Sequence, residues 1–210
     1  MSAEHYFTAE PTAPSNLRQV EFSLLDRDFT LAAAGGVFSS SRLDPGTSVL
    51  LRKAPLPTAD ARGPFLDLGC GYGPIAVVLA TAAPAATVYA VDVNQRALDL
   101  VRRNAADHKS VIAALPDDVP DDVRFAEIWS NPPVRIGKAA LHELLERWLP
   151  RLAPDGVAWL VVARHLGSDS LQRWLTERGW SVERRASQKG YRVLGVRNPG
   201  DVGRPSQENA

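Results

Sequence analysis

Residues 65–74 read FLDLGCGYGP, which places Gly69, Gly71 and Gly73 at alternate positions just after a short apolar run. Glycine tolerates unusual dihedrals and lets backbone come close to a ligand, so a strand-to-helix turn carrying three of them is a candidate cradle. The spacing is GxGxG, whereas a dinucleotide fingerprint needs its third glycine at position 74, where Pro74 stands. Pyrophosphate is therefore not the expected guest, and a nicotinamide-dependent dehydrogenase is disfavoured. Asp67 would aim a carboxylate at the same cleft, a poor choice for phosphate and a good one for ammonium or sulfonium charge. Its bland alternative is a cap or turn carboxylate. Asp92, twenty-five residues further on, closes the next apolar run, with Val93 beside it. There a carboxylate can accept hydrogen bonds from both hydroxyls of a ribose, or cap the following helix with Asn94. S-Adenosylmethionine unites these chemical features. Cys70 packs in or lines the turn, since no neighbouring base marks it as reactive.

A second constellation is Ser130, Asn131, Pro132, Pro133 and Val134. Taken alone it is a turn signal. Beside a glycine loop it has a chemical use. An exocyclic amine on a nucleobase is a poor nucleophile because its lone pair is delocalised into the ring. Two acceptors holding its two N–H bonds let the nitrogen pyramidalise and turn that lone pair towards an electrophilic methyl. The Asn131 side-chain oxygen and the Pro132 carbonyl are the candidate acceptors, and consecutive prolines fix the backbone before substrate arrives. No strong base is needed during the transfer, and water can take the product proton.

These residues need an open parallel sheet to bring them together. From Pro64 onward, short apolar runs alternate with helical periods, the pattern of a Rossmann-like, doubly wound α/β fold. Strands are expected at Phe65–Leu68, Thr87–Val93, Val111–Leu115, Phe125–Ser130 and Val157–Ala163, the last uniformly apolar and hence central. Helices are expected at Gly73–Ala83, Gln95–Ala106, Lys138–Leu152 and Ser168–Arg178. Trp180–Arg185 and Tyr191–Val196 form an antiparallel hairpin around Lys189 and Gly190, completing a mostly parallel seven-stranded sheet. Ahead of this core, Val20–Leu25 and Phe29–Ala33 read as an N-terminal hairpin around Asp26, Arg27 and Asp28. Thr47–Ala54 reads as a short helix capped by Asp44, with Pro45 in its first turn. The expected organisation is an extension over residues 1–60, a core over 61–197 and a polar, disordered tail over 198–210.

Composition fits one domain: 210 residues, 45% hydrophobic and 23% charged. A single cysteine excludes an internal disulfide, and four scattered histidines argue against a metal site. Neither a secretory leader nor a membrane span is evident, so a soluble, cytoplasmic protein is expected. Twenty-four basic and twenty-four acidic residues cancel. Their distribution is uneven: Arg164 to Arg197 holds eight bases against three acids, and Asp107 to Glu127 six acids against two bases. The basic end is a candidate RNA contact or a solvated face.

With DLGCGYG as a first motif and Asp92 as the acid of a second, the core resembles class I S-adenosylmethionine-dependent methyltransferases. Its NPP sequence resembles the NPP(Y/F) motif of amino-methyltransferases that act on adenine N6, guanine N2 or a protein glutamine, with Val134 in place of the stacking aromatic. HYF at 5–7, GVFSSSRLDPGT at 36–47, NPPVRIGKAALHELL at 131–145 and QKGYRV at 188–193 resemble the catalytic half of the ribosomal RNA small-subunit methyltransferase C and large-subunit methyltransferase G family. The resemblance implies a guanine-N2 enzyme in stand-alone form, with ribosomal RNA as partner and no metal. It implies that Phe38 and Thr47 lie on the cofactor side, Gly137 and Lys138 on the substrate side, and Asp117 or Asp118 at the adenine. Pro133, Val134 and Arg135 are expected on the substrate surface, where stacking could come from Arg135 over a base face with Phe38 as a wall. A catalytically silent RNA-binding module on the same fold is the alternative from another class.

Overall fold

The computed structural model describes residues 16–37, 41–133 and 137–199. Phe38, Val134, Arg135, the HYF segment and the tail from residue 200 lie outside the described residues. The first two strands, β1 (Leu17–Leu24) and β2 (Arg27–Ala34), form a separate antiparallel hairpin. The two-residue turn is Leu25–Asp26, both at positive φ, one residue earlier than the sequence pattern implied. That conformation gives a turn whose twist matches the strands it joins. Helix α1 (Pro45–Lys53) follows, with Pro45 in its first turn and Asp44 accepting from the Thr47 N–H at 2.9 Å.

The main sheet contains β3 (Phe65–Leu68), β4 (Val88–Val91), β5 (Val111–Ala114), β6 (Phe125–Ser130), β7 (Leu152–Ala163), β8 (Ser181–Gln188) and β9 (Tyr191–Arg197). Its spatial order is β5-β4-β3-β6-β7-β9-β8, parallel from β5 to β7, with β9 and β8 antiparallel. The chain direction of winding reverses between β3 and β6. In open sheets of this kind the crevice beyond the carboxyl ends of those two strands is the ligand position. The expected central strand is longer than its apolar run, because β7 starts at Leu152 and bends through Gly156. A Cβ on Gly156 would meet the Phe125 carbonyl oxygen at 2.8 Å, so only glycine fits that crossing.

Two apolar layers sandwich the sheet. Alternation along β7 sends Val157, Trp159 and Val161 to one face and Ala158, Leu160 and Val162 to the other. The first face packs against α1, α2 (Pro74–Ala82), α3 (Gln95–Asn104) and the hairpin residues Val20, Phe29 and Leu31. The second packs against α4 (Lys138–Trp148) and α5 (Ser168–Glu177) through Leu141, Leu145, Trp148, Leu171 and Trp174. Helix α4 stops short of the expected Leu152. Pro150 lacks the N–H that another turn would need, and Leu149–Arg151 form a 3₁₀ turn instead.

The hairpin is pinned to the core by Asn104, which accepts from the Ala32 N–H and donates to the Ala32 and Tyr72 carbonyls, all at 2.8 Å. Asn94 and Arg96 hold the carbonyls of Gly36 and Gly35. The N-terminal segment thus delivers Val37 to the mouth of the crevice.

Candidate functional site

The crevice is a cavity of about 440 Å³ between the glycine loop, the ends of β4 and β6, and one face of α4. That volume lies in the range of sites that enclose a small organic ligand. Gly69 and Gly71 both line it at positive φ. A Cβ at Gly69 would meet nothing nearer than Pro133 Cδ at 4.0 Å, and one at Gly71 nothing nearer than Val37 Cγ1 at 3.9 Å. The backbone there is bare towards open space. Gly73 differs: it opens α2, and its Cβ would strike Val101 Cγ2 at 3.0 Å, so its constraint is helix packing.

Asp92 lines the cavity at the end of β4. Its two oxygens accept from the N–H groups of Gly71 and Asn94, each at 2.9 Å, which fixes the carboxylate. Burial raises its pKa against the pull of those bonds. Val93 is 42% exposed and lines the same wall with Ala97, Pro116 and Leu144, a broad apolar slot.

Asp67 does not lie on the lining. The period of two along β3 turns it to the face of Phe65, beneath α2, where it is fully buried. One oxygen accepts from the Ala76 N–H at 2.9 Å and serves α2, which has no side-chain cap of its own. The other oxygen has no partner, and burial pushes the carboxyl up to about 8. The cleft-facing role read from the sequence is replaced by the cap reading. Asp117 is also displaced from its expected place. Arg147 on α4 donates to the Pro116 carbonyl at 2.8 Å and to Asp117 at 2.6 Å, drawing that acid out to 89% exposure. Neither it nor the exposed Asp118 lines the cavity, whereas Pro116 and Glu143 do.

Asn131, Pro132 and Pro133 follow β6 and line the cavity opposite the glycine loop. The Ser130 hydroxyl donates to the Leu68 carbonyl at 2.7 Å, tying the ends of β6 and β3 side by side. The Asn131 side-chain N–H₂ donates to Asp44 Oδ1 at 2.7 Å and to Thr47 Oγ1 at 3.0 Å. A carboxylate only accepts, so the nitrogen must face α1 and Oδ1 must face away from it. Thr47 is buried in a small recess with Asp44, Cys70 and Tyr72, behind the loop. Burial pushes the Cys70 thiol up, consistent with packing and not nucleophilic use. Lys138 and Gly137 are exposed at the start of α4 and outside the cavity lining.

Sequence reasoning missed the α4 wall. Its signal was the Ala140, Leu144, Arg147 stripe, one position off the core stripe Leu141, Leu145, Trp148. It also missed the link from Asp44 to Asn131, eighty-seven residues away. Among the described residues, no cluster of three or more His, Cys, Asp or Glu could hold a metal, and no helix is long and apolar enough to cross a membrane.

Known proteins resemble this chain in family, sequence and structure. The model of the family described as "Methyltransferase small domain" matches residues 28–195. An uncharacterised Bacillus subtilis protein, YbxB, is 34% identical over 91% of this chain and 97% of its own length. Ribosomal RNA small subunit methyltransferase C of Aeromonas hydrophila is 38% identical over 62% of this chain but only 37% of its own. Among solved structures, a T. thermophilus 16S rRNA N2 methyltransferase in complex with AdoMet and guanosine superposes with a TM-score of 0.74 at 26% identity. That match covers 90% of this chain and 52% of the other. The chain thus spans about half or less of these two methyltransferases.

Proposed function

The chain belongs to the methyltransferase small domain family, and from that premise we propose that it transfers methyl from S-adenosylmethionine to an exocyclic nucleobase amine, with guanine N2 of ribosomal RNA as the leading acceptor. The observation that carries this reading is the Asn131 amide, held with its oxygen away from α1 in a crevice whose opposite wall is bare glycine backbone. The residues present fit the cofactor. Gly69 and Gly71 leave room for close approach, Asp92 offers a carboxylate to a ribose, and Val93, Ala97, Pro116 and Leu144 form an apolar slot for a flat base. When bound, S-adenosylmethionine supplies an electrophilic methyl on a sulfonium. The chain's own part is to orient the acceptor. Asn131 Oδ1 and the Pro132 carbonyl take the two N–H bonds of the amine and aim its lone pair. Positive charge grows on that nitrogen during transfer, so its N–H bonds strengthen towards both acceptors in the transition state. The same constellation serves adenine N6 or a protein glutamine, so it does not by itself select the acceptor.

The rim supports an anionic macromolecular partner. Arg164 and His165 follow β7, Lys189 joins β8 to β9, and Lys138 opens α4, all exposed on the carboxyl edge where the cavity opens. The Arg164 N–H donates to the Gly190 carbonyl at 2.8 Å, setting two of these cations on adjoining turns. The test is to incubate the protein with labelled cofactor and, in parallel, with ribosomal RNA or with total cellular protein, then to identify the methylated nucleoside or amino acid by mass spectrometry. N2-Methylguanosine is expected. N6-Methyladenosine or methylated glutamine would overturn the guanine assignment, and no incorporation into RNA or protein would make the chain a silent binding module.

A further inference from the structure

Asp44 has a function as N-cap of α1 that requires only its bond to the Thr47 N–H. It makes another. Asp44 Oδ1 also accepts from Asn131 Nδ2 at 2.7 Å, and the Thr47 hydroxyl accepts from the same nitrogen at 3.0 Å. Both hydrogens of the Asn131 amide are thereby used, on the side away from the position proposed for the amine. Turning the amide over would set Asn131 Oδ1 against a carboxylate oxygen at hydrogen-bond distance, two acceptors with no proton between them. Asp44 cannot move to relieve this without giving up the helix cap, and Thr47 is 4% exposed.

We propose that Asp44 and Thr47 are positioning residues that lock and polarise the Asn131 amide, so that its oxygen is presented to the acceptor amine as a fixed and strengthened acceptor. The proposal rests on the reading of Asn131 as an amine acceptor. A hydrogen bond from the amide nitrogen to a carboxylate is charge-assisted and draws electron density towards Oδ1. The oxygen then gains most when the amine nitrogen becomes positive, which is during methyl transfer and not on substrate binding. The N-terminal segment therefore contributes to the reaction through a residue it touches from behind, without contact with the reacting atoms.

The test compares D44N, D44A and T47V with the wild type. D44N keeps a competent N-cap and an oxygen for Asn131 while removing the charge. It should leave S-adenosylhomocysteine affinity, measured by calorimetry, within twofold, and lower kcat about tenfold at unchanged KM. T47V should act in the same direction. In an N131A background D44N should change kcat less than twofold, because its effect passes through the missing amide. Independently of turnover, exchange of the Asn131 side-chain amide protons, followed by NMR, should accelerate at least tenfold in D44A. Wild-type kcat in D44N would overturn the proposal, as would an equal loss in the N131A background. A tenfold loss of S-adenosylhomocysteine affinity with kcat intact would make Asp44 a cofactor ligand and overturn it too. If wild type methylates no substrate, the reading of the site fails, and unchanged amide exchange in D44A would separately overturn the clamp.

Discussion

Replacing Gly69 by alanine separates ligand space from protein stability. Gly69 sits at φ +73°, so an L side chain there costs about 1–2 kcal/mol of backbone strain. The new methyl meets no atom of the protein closer than 4.0 Å, so no packing penalty adds to that cost. For a domain of this size about 1 kcal/mol lowers the melting temperature by roughly 2–4 °C, so G69A should melt roughly 2–8 °C below wild type. The methyl projects from a residue that lines the cavity, on the wall that the proposed function assigns to the cofactor. Overpacking of one methyl costs about 1–3 kcal/mol, which corresponds to roughly a 5- to 150-fold loss of affinity for S-adenosylhomocysteine. Gly73→Ala is the contrasting variant: its methyl strikes Val101 at 3.0 Å and should reduce stability more while sparing the lining. Calorimetric titration beside thermal melts of both proteins is the assay. G69A binding as tightly as wild type would refute the placement of the cofactor over this loop.

Asp67 ties stability to pH. Its folded pKa of about 8 exceeds the ordinary carboxyl value of 3.8, so between those limits the folded state holds a proton that the unfolded state has lost. Stability is therefore highest below that window and falls as pH rises through it, by at most about 1.4 kcal/mol per unit. Glu127, pushed up to about 7 by burial, adds a slope of the same sign. Asp67→Asn should flatten the fall in melting temperature between pH 5 and pH 8, and an unchanged profile would show that Asp67 titrates normally. On the rim, Arg164→Glu with Lys189→Glu should weaken RNA binding and shrink the slope of log affinity against log salt by roughly 1 for each phosphate no longer neutralised. A salt slope equal to that of wild type would place the RNA elsewhere.

Much of the fold was legible because its signals are local. The uniformly apolar run at Val157–Ala163 reads as a strand covered on both faces, and Lys189–Gly190 as the turn between two strands, as the structure has them. Asp92 and the Asn-Pro-Pro sequence reached the crevice because strand ends of a parallel sheet share one edge. Asp67 escaped because proximity to the glycines in sequence outweighed the period of two that buries it under α2. Asp117 escaped because its direction is set by Arg147, thirty residues later. The bond from Asp44 to Asn131 joins an N-cap to a turn across eighty-seven residues, and no periodicity or motif encodes such a contact. Contacts at long separation between loops depend on how the layers stack, which a single sequence does not display.

The proposed function makes Asn131 the residue on which methyl transfer depends most directly. Replacing it with alanine and measuring S-adenosylhomocysteine affinity together with single-turnover methyl transfer to ribosomal RNA isolates its role. The predicted result is affinity within a few-fold of wild type and transfer slowed by about 100-fold or more, since the amide acts on the amine as charge develops. Transfer at the wild-type rate by Asn131→Ala would contradict that role.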